Sequence, residues 1–360
     1  MREPERELDE LLKVRRDKLQ ELKEAGIQPY GGRYEPTHSA LQIVTDFEKL
    51  AGQEVRIAGR LVAKRGHGKA SFGDLQDFSG RIQIHVRQDE VGPENYQVFK
   101  KVDIGDILGV NGTVFRTRTG EITVGVRTFT LLAKSLRPLP EKWHGLRDVE
   151  LRSRQRYLDL IVNPEVKQTF VLRSRVIQAI RRFLDERGFL EVETPMMQPL
   201  PGGAAARPFI TYHNALNLKL YLRIAPELYL KRLLIGGFER VYEINRNFRN
   251  EGISTRHNPE FTMLELYQAY ADYADMMDLT EELISNVTRE VLGTHEVVYG
   301  EHILNLQPPW PRLSYLDLTK QKSGVDFGKL DAQEAQQEAL RLGIQMGGNP
   351  SWGEAVNAVF

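Results

Sequence analysis

The pattern of apolar and polar positions changes several times along the chain, and its first segment predicts an amphipathic helix. Residues 3–25 are highly charged, carry leucines at helical spacing and are followed by the helix-ending residues Gly26 and Pro29. The leucines are Leu8, Leu11, Leu12, Leu19 and Leu22. We expect this stripe to pack on the next domain. The other interpretation is that the basic residues between the leucines lie along RNA phosphates.

Residues 55–133 instead alternate apolar and polar side chains in short runs broken by glycine and aspartate. The runs are Val55–Ala63, Ser71–Asp77, Arg81–Val86, Ile107–Arg116 and Glu121–Leu132. Strands of this number and length predict a small barrel of the OB-fold type, which holds single-stranded nucleic acid with aromatic and basic side chains. A predicted glycine-rich loop with Arg65, His67 and Lys69 precedes Phe72, so nucleic acid is one ligand class. Other OB-folds bind protein or sugar, and Phe72 is also compatible with a barrel core position.

A second group of elements follows a segment with the composition of a linker. Leu136–Leu146 contains two prolines close together. Val166–Arg187 has helical periodicity with Gly188 behind it, and Phe189–Pro195 predicts a short strand. The small side chains of Pro201–Ala206 let a ligand approach the backbone closely, although such a loop is also typical of a flexible surface.

Residues 237–270 predict a long antiparallel hairpin around a polar turn. Side chains alternate along each strand, so the odd-numbered and the even-numbered residues lie on opposite faces. The even-numbered set of the first run is apolar and the odd-numbered set is polar. The apolar set is Phe238, Tyr242, Ile244 and Phe248, and the polar set is Glu243, Asn245, Asn247 and Arg249. In the second run Phe261, Met263, Glu265 and Tyr267 share one face. The odd-numbered side chains therefore either line a common cleft or form the solvated face of an ordinary hairpin.

Composition narrows the classes of function. A chain of 360 residues has room for about two domains. Lysine plus arginine, 49, equals aspartate plus glutamate, 49, so nucleic acid must be bound by a local basic patch rather than by a global field. The sequence has no cysteine, which excludes disulfides and thiolate metal sites and fits a reducing cytoplasm. No apolar stretch has the length of a signal peptide core or a membrane span.

The hairpin also carries the motif by which the chain resembles a known family. FRNEG followed by RHNPEFT is similar to motif 2 of the class II aminoacyl-tRNA synthetases, and the sequence of this motif most resembles that of the lysyl-tRNA synthetase family. The stretches GKASF, LQD, GRIQ and TGE resemble the anticodon-binding domain of that family. The helix, strand and proline that end at Pro195 resemble motif 1. The likeness runs from about Glu54 to about Ala271.

The resemblance implies an α+β multidomain fold, with a five-stranded OB-fold barrel before a partial class II catalytic domain of antiparallel sheet and flanking helices. We expect a helical extension at residues 1–50, an anticodon-binding domain at 51–135, a linker at 136–156 and a catalytic domain at 157–360. The catalytic domain is expected to be incomplete, because only motifs 1 and 2 are present. The family's motif 3 and metal-binding glutamates would lie beyond Phe360, so we expect this chain alone to be weakly active or inactive.

The resemblance implies a reaction and a set of site residues. The reaction activates L-lysine with ATP to lysyl-adenylate and transfers it to tRNA(Lys), with Mg²⁺ accompanying ATP, in a cytoplasmic homodimer joined through motif 1. Nucleotide contacts fall to Arg249, Glu251, His257, Asn258 and Phe261, with Arg249 as the catalytic residue. Lysine contacts fall to Gly203, Glu227, Arg249, Glu265 and Tyr267, and anticodon contacts to Arg65, Phe72, Gln83 and Glu121.

The residue types suit this chemistry. The substrate carboxylate is ionised at neutral pH, so activation needs charge stabilisation rather than a general base. A planar guanidinium such as Arg249 bridges carboxylate and phosphate oxygens through charge-assisted hydrogen bonds. Glu227 and Glu265 supply carboxylates for the ammonium groups of lysine. Glu227 also follows Pro226 at a predicted helix start, where glutamate is favoured without any ligand.

Three other functions stay open at this point. A ligase that lysylates a protein, such as the elongation factor P enzyme, shares the catalytic core but lacks a barrel like the one predicted at residues 55–133. An aspartate or asparagine ligase has the same architecture but needs a cation where Glu265 and Tyr267 stand. The third is a catalytically incomplete paralogue or fragment that binds tRNA through its OB-fold, and the missing motif 3 favours it.

Overall fold

The computed structural model describes residues 3–140, 146, 148–254 and 257–360, with the side chains of residues 3–8 and 67 excepted. Residues 141–145 and 147 of the predicted linker lie outside the described residues, as do Thr255 and Arg256 of the hairpin loop. The chain divides into two compact units, residues 1–167 and 168–360.

The first unit contains a barrel and several helices. In chain order its elements are α1 (Glu3–Glu24), α2 (Ala40–Thr45), α3 (Phe47–Leu50), β1 (Glu54–His67), β2 (Ala70–Gln76), β3 (Arg81–Arg87), α4 (Gln88–Val91), α5 (Pro93–Lys101), β4 (Ile107–Arg116), β5 (Ile122–Ala133), α6 (Val149–Arg154) and α7 (Arg156–Val162). The next helix, α8 (Pro164–Asp185), begins in this unit and continues in the second.

The five strands close into a barrel in the order β1-β2-β3-β5-β4, which confirms the predicted OB-fold. Alternate residues point inward: Leu75, Ile82 and Ile84 are buried in an apolar core, as the period-2 pattern requires. Phe72 and Gln83 have the opposite parity and lie half-exposed on the outer surface. Phe72 is therefore not a core residue.

Helix α1 is held to its unit by basic side chains and by part of its leucine stripe. The buried Arg15 guanidinium donates hydrogen bonds to backbone carbonyls beside the barrel at 2.9 Å. Lys18 donates to the carboxylate of Asp103 at 2.6 Å. Leu22 is buried in the barrel core, whereas Leu11 is exposed. Leu12 and Leu19 are partly buried, and the side chain of Leu8 lies outside the described residues, so the predicted packing is observed for part of the stripe.

The second unit continues from α8. Its further elements are β6 (Leu190–Glu191), β7 (Met197–Gln198), β8 (Ile210–His213), a 3₁₀ helix (Asn214–Leu216), β9 (Leu218–Leu222), α9 (Glu227–Ile235), β10 (Arg240–Phe248), β11 (Glu260–Gln268), α10 (Tyr273–Leu292), β12 (Glu296–Tyr299), β13 (His302–Asn305), α11 (Tyr315–Ser323), a 3₁₀ helix (Phe327–Lys329), α12 (Ala332–Arg341) and α13 (Trp352–Val359).

The predicted hairpin is the centre of this unit, where β10 pairs antiparallel with β11 and parallel with β6. Its even-numbered face packs on α8 and α10 in an apolar cluster. The hairpin residues in this cluster are Tyr242, Ile244, Leu264 and Leu266. Because one face is covered in this way, the odd-numbered face is left for other contacts.

The strand predicted at residues 189–195 is wrong in length, since only Leu190–Glu191 pairs as a strand. The Val192 amide still donates to the Tyr242 carbonyl at 2.9 Å, but Thr194 turns its amide and hydroxyl towards the Glu243 carboxylate. Pro195 has no amide to continue the ladder. Side-chain capture and proline together end the strand early.

The C-terminal part of the unit forms a small core of its own, built around Phe327, Ala335 and Val356. Within the described ranges, no helix combines the length and apolar character that a membrane span requires.

Candidate functional site

An aromatic platform lies on the outer surface of the barrel. The strand register aligns Arg65, Phe72 and His85 across β1, β2 and β3. The rings of Phe72 and His85 stack with centroids 4.2 Å apart and planes 7° apart, and Phe115 lies 6.2 Å from His85. Partial burial, together with nearby Arg87, lowers the pKa of His85, which favours the neutral form of its ring. The platform offers flat faces and an adjacent guanidinium to a nucleic-acid base.

A polar group borders this platform. The Thr123 hydroxyl donates to Gln83 Oε1 at 2.9 Å and lies 3.3 Å from the carbonyl oxygen of Glu121. The Glu121 side chain is exposed immediately before β5. Arg65 is a strand residue opposite Phe72 rather than a loop residue, because β1 extends through His67 and the turn is only Gly68–Lys69. The side chain of His67 lies outside the described residues.

The hairpin register brings the odd-numbered residues of both strands together. Glu243 lies opposite Glu265, and Asn247 lies opposite Phe261. Arg249 follows β10 directly, and its amide continues the pairing by donating to the Pro259 carbonyl at 2.9 Å. Residues directly opposite in an antiparallel pair share a face, so the parity prediction is confirmed.

Arg249 reaches the ring of Phe261 and keeps an unused donor. Its guanidinium carbon lies 5.2 Å from the Phe261 ring centroid, within the range of a cation–π contact. Its Nε is buried, with no hydrogen-bond acceptor among the residues that the structure describes. A buried donor without a partner costs free energy, so this end of the face suits a ligand with anionic oxygens.

Carboxylates gather at the other end of the same face. The Tyr267 hydroxyl donates to Glu265 Oε1 at 2.9 Å. Burial raises the pKa of Glu265, and the carboxylates of Glu227 and Glu243 raise it further. Glu227 is the first residue of α9, and a Cβ added at Gly203 would come within 2.8 Å of the Glu227 Cβ. Gly203, whose φ is +87°, is therefore required for the loop to close on Glu227.

A buried ion pair that includes Glu243 of this face was not predicted. Arg223 and Glu243 are 0% and 1% exposed, and Arg223 Nη1 donates to Glu243 Oε1 at 2.6 Å. Arg223 Nε donates to the Arg246 carbonyl at 2.8 Å, and the Thr194 hydroxyl donates to the second oxygen of Glu243 at 2.7 Å. The only sequence signal is an arginine between apolar residues, in LYLRIAP.

Three of the predicted nucleotide contacts lie on the loop that follows Arg249. Glu251, His257 and Asn258 are exposed in the loop between the strands. His257 Nδ1 lies 2.8 Å from Ser254 Oγ, and Asn258 Nδ2 donates to the Glu260 carbonyl at 2.7 Å. The His257 ring and the Asn258 side-chain amide therefore make local contacts in and beside this loop.

The described residues also contain no group of three or more histidine, aspartate or glutamate side chains arranged to hold a metal ion. Carboxylates that ligate a metal must converge on one point, whereas Glu243 is already paired with Arg223.

Two protein-family models match the chain. Residues 55–139 match the OB-fold nucleic acid binding domain, and residues 148–352 match the class II tRNA synthetases of the D, K and N group. The first match covers the barrel, and the second covers the hairpin and α9. The ligase is thereby favoured over the binding-only alternative.

Similar proteins are named Lysine--tRNA ligase. The protein of Carboxydothermus hydrogenoformans is 64% identical over 98% of this chain and 73% of its own length. That of Moorella thermoacetica is 63% identical, and that of Bacillus subtilis is 53% identical, each over 98% of this chain and 72% of its own length. The chain therefore belongs to the class II tRNA synthetases, and within them to the lysine–tRNA ligase family.

Proposed function

We propose that the odd-numbered face of the β10–β11 hairpin binds L-lysine beside ATP and joins them as lysyl-adenylate, which is then transferred to tRNA(Lys). Membership of the lysine–tRNA ligase family gives the overall reaction, the ATP-dependent joining of lysine to tRNA. The observation that carries the assignment to this face is its polarity along the strands. A cation and an aromatic ring lie at one end, and carboxylates with a phenol lie at the other.

Arg249 and Phe261 are the proposed nucleotide end. The lysine carboxylate attacks the α-phosphorus of ATP; a C–O–P bond forms, and the bond from that phosphorus to pyrophosphate breaks. Because the nucleophile is already ionised, the chain supplies orientation and charge stabilisation. Arg249 is the proposed catalytic residue, since its planar guanidinium contacts carboxylate and phosphate oxygens together. The Phe261 ring stacks on the purine of ATP.

Glu227, Glu265 and Tyr267 are the proposed lysine end. Glu227 binds the α-ammonium, with the Gly203 carbonyl beside it, and Glu265 with Tyr267 binds the ε-ammonium. The raised pKa of Glu265 supports this role, because a bound ammonium offsets the burial and like-charge repulsion of that carboxylate. A neutral side chain would leave Glu265 unpaired, which gives the site its preference for lysine.

The exposed loop residues Glu251, His257 and Asn258 are proposed to close on ATP when it binds. ATP brings Mg²⁺ on its phosphates, which neutralises charge there. The carboxylates of the described residues do not fit a resident metal site, so no step is assigned to an ion held by this chain.

The barrel platform is the proposed anticodon site. Phe72 stacks on the central anticodon base, and Arg65, Gln83 and Glu121 bind its edges and phosphates. Residues 51–135 are accordingly the proposed anticodon-binding domain, 136–156 the linker and 157–360 the catalytic domain, after a helical extension at 1–50. A cytoplasmic homodimer formed through α8 and β6 completes the proposal.

Calorimetric titration of the 360-residue chain with L-lysine tests the lysine end. Glu265→Gln removes the charge that pairs with the ε-ammonium and is expected to weaken binding at least about tenfold. Glu260→Gln is the matched control, because Glu260 lies on the same strand with the opposite parity and in an exposed pair. Equal affinities of the Glu265 variant and the unsubstituted chain would overturn the assignment.

A further inference from the structure

Lys231 holds one of the carboxylates proposed for the substrate. It lies one turn after Glu227 on α9, and its Nζ donates to Glu227 Oε1 at 2.7 Å. The side chain of Lys231 is 51% exposed and that of Glu227 is 30% exposed. The contact therefore lies at the mouth of the carboxylate cluster rather than in a closed interior.

The same ammonium also faces the other groups of the lysine end. Lys231 Nζ lies 5.9 Å from the Tyr267 ring centroid, at the limit of a cation–π contact. The Tyr267 hydroxyl is bonded in turn to Glu265. Burial raises the pKa of Glu265, and the nearby Lys231 ammonium opposes that rise. A primary ammonium of the chain thus occupies the environment proposed for the ammonium groups of free lysine.

We propose that Lys231 is a built-in competitor that occupies Glu227 in the ligand-free chain, and that L-lysine binds by exchanging its α-ammonium for this side chain. The inference rests on the proposed function, because it requires Glu227 to be the α-ammonium site. Lys231 is then a specificity-determining residue rather than a catalytic one.

The energetics allow such an exchange. A glutamate and a lysine spaced i,i+4 on an exposed helix face attract each other weakly, and half of the Lys231 side chain is in contact with water. The displaced ammonium can therefore return to solvent at little cost. In the free chain the pair keeps Glu227 compensated, which limits the repulsion between Glu227 and Glu265.

The exchange predicts which ligands Lys231 disfavours. A ligand that carries an α-ammonium must displace Lys231 before it reaches Glu227. 6-Aminohexanoic acid has the terminal ammonium and the carboxylate of lysine but lacks the α-ammonium, so it leaves the Lys231–Glu227 contact in place. Competition should therefore be visible with L-lysine and absent with 6-aminohexanoic acid.

Calorimetric titration of the whole chain with both ligands tests the proposal. Lys231→Met removes the competitor and keeps the aliphatic stem, and it should tighten L-lysine binding by about two- to fivefold while leaving 6-aminohexanoic acid unchanged. Lys231→Arg keeps the cation and should not show the gain. Arg232→Met is the matched control for loss of charge on the same helix, because Arg232 lies on the Tyr229 ring and not on Glu227.

Three results would overturn the proposal. L-lysine affinity could stay the same or fall in Lys231→Met, both ligands could gain equally, or Arg232→Met could reproduce the gain. Glu227→Gln separates this inference from the proposed function, since it should weaken L-lysine binding at least about tenfold. If Glu227→Gln changes nothing, the assignment of Glu227 fails and the inference with it. If Glu227→Gln weakens binding but Lys231→Met has no effect, the inference alone fails.

Discussion

Replacement of Arg223 by methionine tests the buried ion pair between Arg223 and Glu243 of the hairpin. The substitution keeps a long apolar side chain but leaves the Glu243 carboxylate without its cation, although both groups are almost completely shielded from water. It also leaves the Arg246 carbonyl without the hydrogen bond from Arg223 Nε. Glu243 lies opposite Glu265, so the loss of the cation increases the negative charge beside the proposed lysine site.

The size of the effect follows from burial. Removing one partner of a buried ion pair costs about 3–5 kcal/mol, because the remaining charge is neither solvated nor compensated. Hydrogen bonds to the Glu243 carboxylate from Thr194 and Asn245 remain and place the estimate at the lower end of this range. A loss of about 3 kcal/mol is a large part of the 5–15 kcal/mol by which typical domains are stable.

The assay is urea unfolding followed by tryptophan fluorescence, in a Trp143→Phe background. The sequence has three tryptophans, and the other two, Trp310 and Trp352, both belong to the unit that contains Arg223. Arg182→Met is the matched control, because its pair with Glu290 is 56% and 46% exposed. That substitution should cost no more than about 1 kcal/mol.

The double variant Arg223→Met/Glu243→Met completes the cycle. Removing both charges replaces an ion pair by apolar packing, so at least half of the lost stability should return. A cost within about 1 kcal/mol for Arg223→Met alone, or simple additivity of the two single substitutions, would refute the reasoning that burial makes this pair costly to break.

The remaining predictions address the two proposed binding surfaces. Phe72→Ala should weaken binding of a tRNA(Lys) anticodon stem-loop by about 1–3 kcal/mol in a filter-binding assay. The control is Phe78→Ala, because Phe78 is an exposed phenylalanine of the same unit. Equal losses of affinity in both variants would refute base stacking on Phe72. Arg249→Lys should weaken ATP binding, measured by calorimetry, at least about tenfold, because an ammonium lacks the planar fork of a guanidinium. The control Arg246→Lys should bind ATP like the unsubstituted chain. Equal ATP affinities of the two variants would contradict the role of Arg249. Burial raises the pKa of Glu265, and the Glu227 and Glu243 carboxylates raise it further. Bound lysine favours the ionised form of Glu265. L-lysine affinity should therefore fall as the pH decreases through that raised pKa. Glu265→Gln should flatten the pH profile, and an unchanged profile in this variant would assign the titration to another group.

Periodicity predicted the parts of the fold in which a single face is buried. The barrel strands and the β10–β11 hairpin each cover one apolar face, so their alternation is visible in the sequence. The parity of the hairpin then placed Arg249, Phe261 and Glu265 on one face without any knowledge of the loop.

The errors lie at the ends of strands. The strand predicted through residue 195 stops at Glu191, because the amide and hydroxyl of Thr194 bind Glu243. The glycines on either side of His67 predict a loop at Arg65 and His67, but β1 continues past Gly66 to His67. A pattern of hydrophobicity does not report such contacts.

Two ion pairs of the site also escaped prediction, for different reasons. Arg223 and Glu243 are 20 residues apart and are joined only by the fold, so no local spacing indicates their contact. Glu227 and Lys231 have the i,i+4 spacing of a helix pair, which is readable from the sequence. That spacing alone gives no sign that the pair lies beside Tyr267.

The central claim is that Arg249 and Glu265 act on one ligand from opposite ends of a single face. The most direct measurement is calorimetric titration of the chain with a non-hydrolysable sulfamoyl analogue of lysyl-adenylate, which spans both ends. Such an analogue should bind more tightly than L-lysine or ATP alone, and Arg249→Lys and Glu265→Gln should each reduce that affinity at least about tenfold. An affinity no greater than that of L-lysine alone, or one that neither substitution changes, would contradict the claim.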